Sequence, residues 1–298
     1  MVAVQNKKRV IIFMSLQNAL AKVYLRLFVR QENEFDSLKT QKELSLPEPP
    51  KRIAGRCEKM KIGEVNAFWI DKQNAKRGVL VYLHGGAFYF GPVKEHWQYI
   101  AKISRMARMA GLMIDYRMSP RHPFPSGLDD IIEVVEHLDL PPDWFFLGDS
   151  SGGGMSVAAT FKLRELNKSL PKKLILMSPW FDVTLQNPAI QLNKHEDAMM
   201  TVERLLNAAR EYAVNDNPKN PLISPMFGDV KGLPPTLIQI GTADLLLWDC
   251  RKFYLKCLDA GIAVRYEEFP NAFHDFMMAG FLPEAKKALK SQAEFLTS

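Results

Sequence analysis

Gly148-Asp149-Ser150-Ser151-Gly152 places one serine at the centre of a G-x-S-x-G spacing. A serine hydroxyl is a poor nucleophile until the backbone thrusts it towards a base, which a tight strand-to-helix turn can do. Such a turn crowds the flanking chain, so Gly148 and Gly152 must lack a Cβ. It ends at a helix N-terminus, whose free N–H groups and dipole favour negative charge developing nearby. Ser151 does not satisfy the spacing, because its flanking positions are Asp149 and Gly153. Taken alone the pattern could be a plain glycine turn. Its context argues otherwise: 144–147 reads as the end of a buried strand and 155–166 as a helix.

An activated serine needs oxyanion donors, a base and an acid to orient that base. The apolar run 79–83 leads into His84-Gly85-Gly86, and successive glycines after a strand let backbone amides face a site without obstruction. Acyl transfer passes through a tetrahedral oxyanion, and losing one preorganised donor to it costs about a hundred- to a thousandfold in rate. The amides of Gly85, Gly86 and Ser151 are the expected donors. Among the six histidines, only His274 follows a strand with a carboxylate candidate ahead of it. His84 lies within the glycine loop and is expected to brace it. His122 sits in an Arg-His-Pro turn, while His96, His137 and His195 fall in helix-like or cap sequence with no partner motif. For the acid, Asp244 lies just beyond the strand at 236–241. Asp249 falls inside the following helix, and Asp182 follows the wrong strand.

The elements that must position these residues can be read from apolar periodicity. Segments 79–83, 111–116, 144–147, 174–177, 236–241 and 263–269 read as strands, and 128–138, the run after Ser150 and 202–212 as helices. The alternation implies an α/β fold, with a mostly parallel central sheet covered on both faces. Ligand chemistry in such sheets collects at the carboxyl ends of the strands. Residues 51–71 add short antiparallel opening strands, and Pro47-Glu48-Pro49-Pro50 marks a boundary. The expected division is cap helices in 1–50 and a catalytic domain over 51–298. Within that domain, residues 183–225 are a polar, Met-dotted cap insertion.

These motifs together resemble the hormone-sensitive-lipase-like family of α/β-hydrolases, which carries an H-G-G-G/A loop and a G-D-S-A-G-G elbow. The segments Asp115-Tyr116-Arg117-Met118-Ser119-Pro120 and Ser178-Pro179-Trp180-Phe181-Asp182 are similar to that family as well. The order Ser150, Asp244, His274 is also the α/β-hydrolase order. The resemblance implies an α/β-hydrolase fold with a small helical cap over the site. It further implies a serine carboxylesterase acting on short- to medium-chain esters through an acyl-enzyme, with no metal or organic cofactor. One departure is Arg121, where the family usually has an acid that supports the site from behind. Among the aromatics near the loops, most are expected to be core, and Phe88 and Trp180 are the candidates to line an apolar pocket.

Composition bounds the partners. With 298 residues, 47% hydrophobic and 24% charged, the chain can form one large α/β domain with a small cap. Cys57, Cys250 and Cys257 make no disulfide framework and no Cys/His cluster has metal-ligand spacing, so a reducing cytoplasm is the default. The net charge is +6, and residues 1–31 hold Lys7, Lys8, Arg9, Lys22, Arg26 and Arg30 with no acid. That segment suits an anionic membrane surface. No basic–aromatic stripe points to nucleic acid. Leu16, Leu20, Val23, Tyr24, Leu27 and Phe28 recur as one helical stripe, which favours an amphipathic helix over a signal peptide. The Lys7-Lys8-Arg9 start, the short apolar core and Ala19-Leu20-Ala21 keep secretion open. No stretch has the length of a membrane span. An amidase or peptidase on the same triad, and a non-catalytic small-molecule receptor, are the alternatives. The presence of all three triad candidates favours an enzyme. A homodimer is compatible with these residues, as is a monomer.

Overall fold

A computed structural model of the protein describes residues 15–28, 30, 36–138 and 140–298. Eight strands form one sheet: β1 (Cys57–Ile62), β2 (Val65–Ile70), β3 (Val79–Leu83), β4 (Ala110–Asp115), β5 (Trp144–Asp149), β6 (Lys173–Met177), β7 (Thr236–Gly241) and β8 (Val264–Phe269). Their order is β1-β2-β4-β3-β5-β6-β7-β8. The first two strands form an antiparallel hairpin that pairs antiparallel with β4, and all later pairings are parallel.

The central strands read as unbroken apolar runs because both of their faces are covered. Val79, Val81 and Leu83 of β3 enter one core, with Phe146 of β5 and Ile238 and Ile240 of β7, while Leu80, Tyr82, Phe145, Leu147 and Leu237 enter the other. The first core is closed by α5 (Ser126–His137), α6 (Ser150–Glu165) and α8 (Leu247–Asp259). The second is closed by α4 (Lys94–Ala107) and α9 (Pro283–Thr297). The sheet ends on charged edges. Glu58, Lys59 and Lys61 line β1, and Arg265, Glu267 and Glu268 line β8, which discourages pairing with another chain.

Parallel order has one functional consequence. The loops after β3, β5, β6, β7 and β8 all leave the same edge of the sheet, so residues far apart in sequence meet there. The segment 183–225, expected to be an insertion, leaves from that edge between β6 and β7. It holds a 3₁₀ turn (Pro188–Leu192) and α7 (Val202–Tyr212), whose residues Leu205, Ala208, Ala209 and Tyr212 are buried.

At the front of the chain, α1 (Leu16–Phe28) confirms a helix where the stripe predicts one, followed by α2 (Ser37–Leu44) and the short α3 (Lys51–Ala54). The stripe faces away from the protein. Leu16, Leu20, Val23 and Leu27 are 54–73% exposed, while Asn18 and Lys22 are buried. The helix is held by polar groups instead: Asn18 Nδ2 donates to Asn271 O at 3.3 Å, and Ser15 N and Oγ donate to Glu284 at 2.8 Å. Arg26 and Arg30 donate to carbonyls of Lys194, His195, Glu196 and Asp197 in the insertion. Lys7-Lys8-Arg9 and the apolar residues 10–14 lie outside the described residues. No described helix is long and apolar enough to cross a membrane.

Candidate active site

β5 delivers Ser150 to the carboxyl edge, where the strand turns directly into α6. Ser150 sits at φ +49°, a left-handed conformation that is uncommon for a side chain with a Cβ. The turn is tight enough that a Cβ on Gly152 would lie 2.0 Å from the Leu83 carbonyl oxygen, so only glycine fits. That close approach wedges the start of α6 against the end of β3. It brings the 84–88 loop beside the serine.

His274 reaches Ser150 from the loop after β8. Its Nε2 lies 3.0 Å from Ser150 Oγ, and its Nδ1 lies 3.0 Å from Asp244 Oδ2. With Nδ1 protonated, the ring donates to Asp244 and accepts from the serine hydroxyl, the tautomer a general base requires. Ser150 and His274 are 5% exposed and Asp244 is fully buried, so charge in this array is poorly screened by water. Burial pulls the His274 imidazole down, but the carboxylates of Asp275 and Asp244 outweigh it and hold the ring well above its ordinary value. Asp244 accepts from Leu246 N, and its own carbonyl accepts from Asn193 Nδ2 of the insertion.

Gly85 and Gly86 lie directly after β3. A Cβ on Gly85 would sit 3.0 Å from that of Ser150, and Gly86 adopts φ +121°, which a side chain would not tolerate. Ser151 is the second residue of α6, so its N–H is one of the free donors of a helix start. Phe88 and Trp180 belong to a closed aromatic cluster. Phe88 stacks on Tyr212 of α7 at 3.8 Å and meets Trp180 at 5.4 Å. Trp180 has no exposed surface, and its indole donates to Asp182 O. Asp249 lies inside α8, bonded by Asn187, and Asp182 caps Thr184. Neither touches His274. Arg121 is exposed at the surface. Among the described residues no His, Cys, Asp or Glu group could hold a metal ion.

Behind the serine lies a buried polar layer that only partly shows in the sequence. His84 braces the loop as expected: its Nδ1 lies 2.8 Å from Gly85 O, and Tyr116 Oη donates to its carbonyl. The ring is stacked between Tyr116 and His96. Burial, then His96, lowers His84 to about 3, so it is neutral. His96 has a partner that no local motif announces, Asp149 Oδ2 at 3.2 Å, and Tyr82 donates to the other oxygen. Burial opposes the charge on Asp149, yet His96 and Tyr82 overcome it and keep the carboxyl below its usual range. His96 is correspondingly raised against its own burial.

Two further carboxylates escape sequence reasoning. Asp197, fully buried in the insertion, accepts from Met199 N, Met200 N and Leu245 N, tying the insertion to the segment that carries Asp244. Its short-range bonds are an Asx signature that could have been noticed, but the contact with Leu245 spans 48 residues. Asp275 places Oδ2 3.1 Å from His274 Nε2, and its only sequence signal is adjacency to that histidine.

Residues 80–278 match a family described as an alpha/beta hydrolase fold. An esterase of Acinetobacter venetianus is 32% identical over 255 residues, covering 84% of this chain and 84% of that protein. An acetyl-hydrolase of Streptomyces hygroscopicus is 32% identical over 79% of this chain and 80% of its own length. Among solved structures, an esterase from the bacterial hormone-sensitive lipase family superposes with a TM-score of 0.85 at 29% identity, covering 96% of this chain and 98% of that one.

Replacing His96 by alanine strands the buried Asp149 carboxylate with only Tyr82 for a partner. Removing one member of a buried ion pair costs about 3–5 kcal/mol. Asp149 is depressed, so its contribution is present above 3.8 and lost as pH falls further. His96 is raised, so its contribution is complete below 6.5 and lost at higher pH. Urea denaturation of His96→Ala against wild type should therefore show its largest stability gap between pH 3.8 and 6.5, narrowing in alkali. A gap below about 1 kcal/mol, or one independent of pH, contradicts the pairing.

Proposed function

The chain belongs to the hormone-sensitive-lipase-like family of α/β-hydrolases, and on that footing we propose that it is a serine carboxylesterase acting on short- to medium-chain esters. The observation that carries the reading is the unbroken relay from Ser150 Oγ through His274 to Asp244, each link 3.0 Å long. His274, oriented by Asp244, takes the proton of Ser150 as the oxygen attacks the ester carbonyl. The amides of Gly85, Gly86 and Ser151 hold the oxyanion. The imidazolium then protonates the leaving alcohol, and water resolves the acyl-enzyme by the reverse route. Phe88 bounds the acyl side with Trp180 packed behind it, and residues 1–50 with 183–225 form the cap. Support for the cap comes from α7, stacked on Phe88 through Tyr212, and from the arginines that bind α1 to the insertion. A small-acyl preference accords with an aromatic cluster that leaves Trp180 no exposed surface.

The outward face of α1 adds a second partner, an anionic lipid surface. Exposed Leu16, Leu20, Val23 and Leu27 form an apolar stripe on a segment whose first 31 residues carry six cations and no acid. That stripe would insert below headgroups, and since Lys22, Arg26 and Arg30 turn towards the protein, Lys7, Lys8 and Arg9 are the cations left to pair with lipid phosphates. The same helix touches Asn271, close to His274, so it links the lipid-facing surface to the catalytic loop.

Hydrolysis of p-nitrophenyl acetate, butyrate and octanoate should decline towards the longest chain, with the matching anilide far slower. Ser150→Ala should lower kcat/KM about ten-thousandfold or more without disturbing the circular dichroism. Wild-type-like turnover by that variant, or an anilide cut as fast as the ester, contradicts the assignment. For the lipid partner, the protein should sediment with phosphatidylglycerol vesicles and much less with phosphatidylcholine ones, and Leu20→Asp with Leu27→Asp should abolish the difference. Equal sedimentation of both proteins removes that partner.

A further inference from the structure

We infer that Asp275 is a positioning residue for this ester hydrolysis, a second carboxylate that holds His274 from its Nε2 side and stabilises the imidazolium formed when Ser150 gives up its proton. The inference rests on the serine-hydrolase reading above and names a group that the triad leaves out. Three observations carry it. Asp275 Oδ2 stands 3.1 Å from Nε2, the nitrogen that also meets Ser150 Oγ at 3.0 Å, while Asp244 occupies Nδ1. The imidazole is therefore flanked by a carboxylate at each nitrogen. The Asp275 side chain is 15% exposed, and its Oδ1 is buried with no hydrogen-bond partner. Its backbone is fixed, since its N–H donates to Ser178 Oγ at 3.1 Å and its φ is +52°.

A buried carboxylate with an unpaired oxygen weakens a resting protein, and packing alone gives no reason for one here. The compensation arises in the reaction. In the base form of the ring Nε2 has a lone pair, which faces the serine hydroxyl, and the nearby anion gains little from it. When the proton moves from Oγ to Nε2 and the oxygen bonds the ester carbon, the ring becomes cationic between two anions. The proton then leaves with the alcohol, and Asp275 neither gains nor loses one. Stabilisation that appears only with the imidazolium is differential binding of the transition state.

Other charges face this pair from several elements. The carboxyl groups of Asp149 at the end of β5, Asp244 after β7 and Asp197 in the segment after β6 surround it, with His96 on α4 and the Tyr82 hydroxyl beside Asp149. Burial pushes the Asp275 carboxyl up to about 6, against the pull of His274 and with the push of Asp149 and Asp244. It is ionised at neutral pH. Its charge raises the basicity of His274, so removing the charge lets the ring lose its proton, and act as a base, at lower pH.

The test is the pH profile of kcat/KM for p-nitrophenyl butyrate, read at the isosbestic wavelength, for wild type, Asp275→Asn and Asp275→Gly. Asparagine keeps the shape without the charge, and glycine adopts φ +52° freely, so the fold is not at risk in both variants. Both should lose roughly tenfold in plateau kcat with KM little changed, the signature of an interaction made only in the transition state. Both should also shift the acid limb to lower pH, keeping roughly tenfold more of their own plateau activity on the acid side. An acid limb that stays at the wild-type position in either variant overturns the role. Wild-type hydrolysis in the same series tests the esterase reading separately, so an unmoved limb counts against Asp275 alone.

Discussion

Gly152 packed against the carbonyl of Leu83 is the contact on which the site is built. It leaves no space for a side chain, so the start of α6 can approach the end of β3 only with glycine there. The approach has two results at once. It forces Ser150 into a left-handed conformation that lifts its hydroxyl out of the backbone, and it sets the 84–88 loop alongside. The strand order then supplies the rest. Because β6, β7 and β8 follow β5 in parallel, the loops bearing Asp244 and His274 open at the same edge as the serine. Ser150 and His274, 124 residues apart in the chain, come within 3.0 Å without any local sequence relation.

Burial gives this arrangement its force and sets its cost. Asp149, Asp197 and Asp244 are buried and Asp275 is largely so, with two histidines, His96 and His274, close by. In such surroundings a charge is expensive unless paired, and each acid has an answer of its own. Asp149 has His96 and a tyrosine, and Asp197 has three backbone amides. Asp244 has the imidazole and an amide, whereas Asp275 has the imidazole and an oxygen left unpaired.

Much of this was legible in the residues because local rules carry it. Apolar runs buried on both faces marked β3, β5, β6 and β7, and the α7 limits fall where the periodicity puts them, at Val202–Tyr212. The glycine spacings around Ser150 and after Leu83 report steric needs, so they could be read without a structure. What escaped reading depends on distance or on direction. His96 and Asp149 belong to different elements on the same side of the sheet, and no spacing links them. The stripe of α1 announced a helix correctly but not which way it turns. Periodicity measures segregation of side chains, and here Asn18, Lys22, Arg26 and Arg30 tie the polar side inward while the leucines face out. Asp275 was visible only as a neighbour of His274, because the left-handed turn that aims it at Nε2 is a three-dimensional fact.

The central claim is that the hydroxyl of Ser150 is the nucleophile, activated by His274. A phosphonate ester that stops at the covalent stage reads this directly, by intact mass and peptide mapping alongside residual esterase activity. The account predicts one adduct per chain, on the peptide containing Ser150, formed in proportion to the activity lost. An adduct on another residue, or full inhibition with Ser150 unmodified, would contradict it.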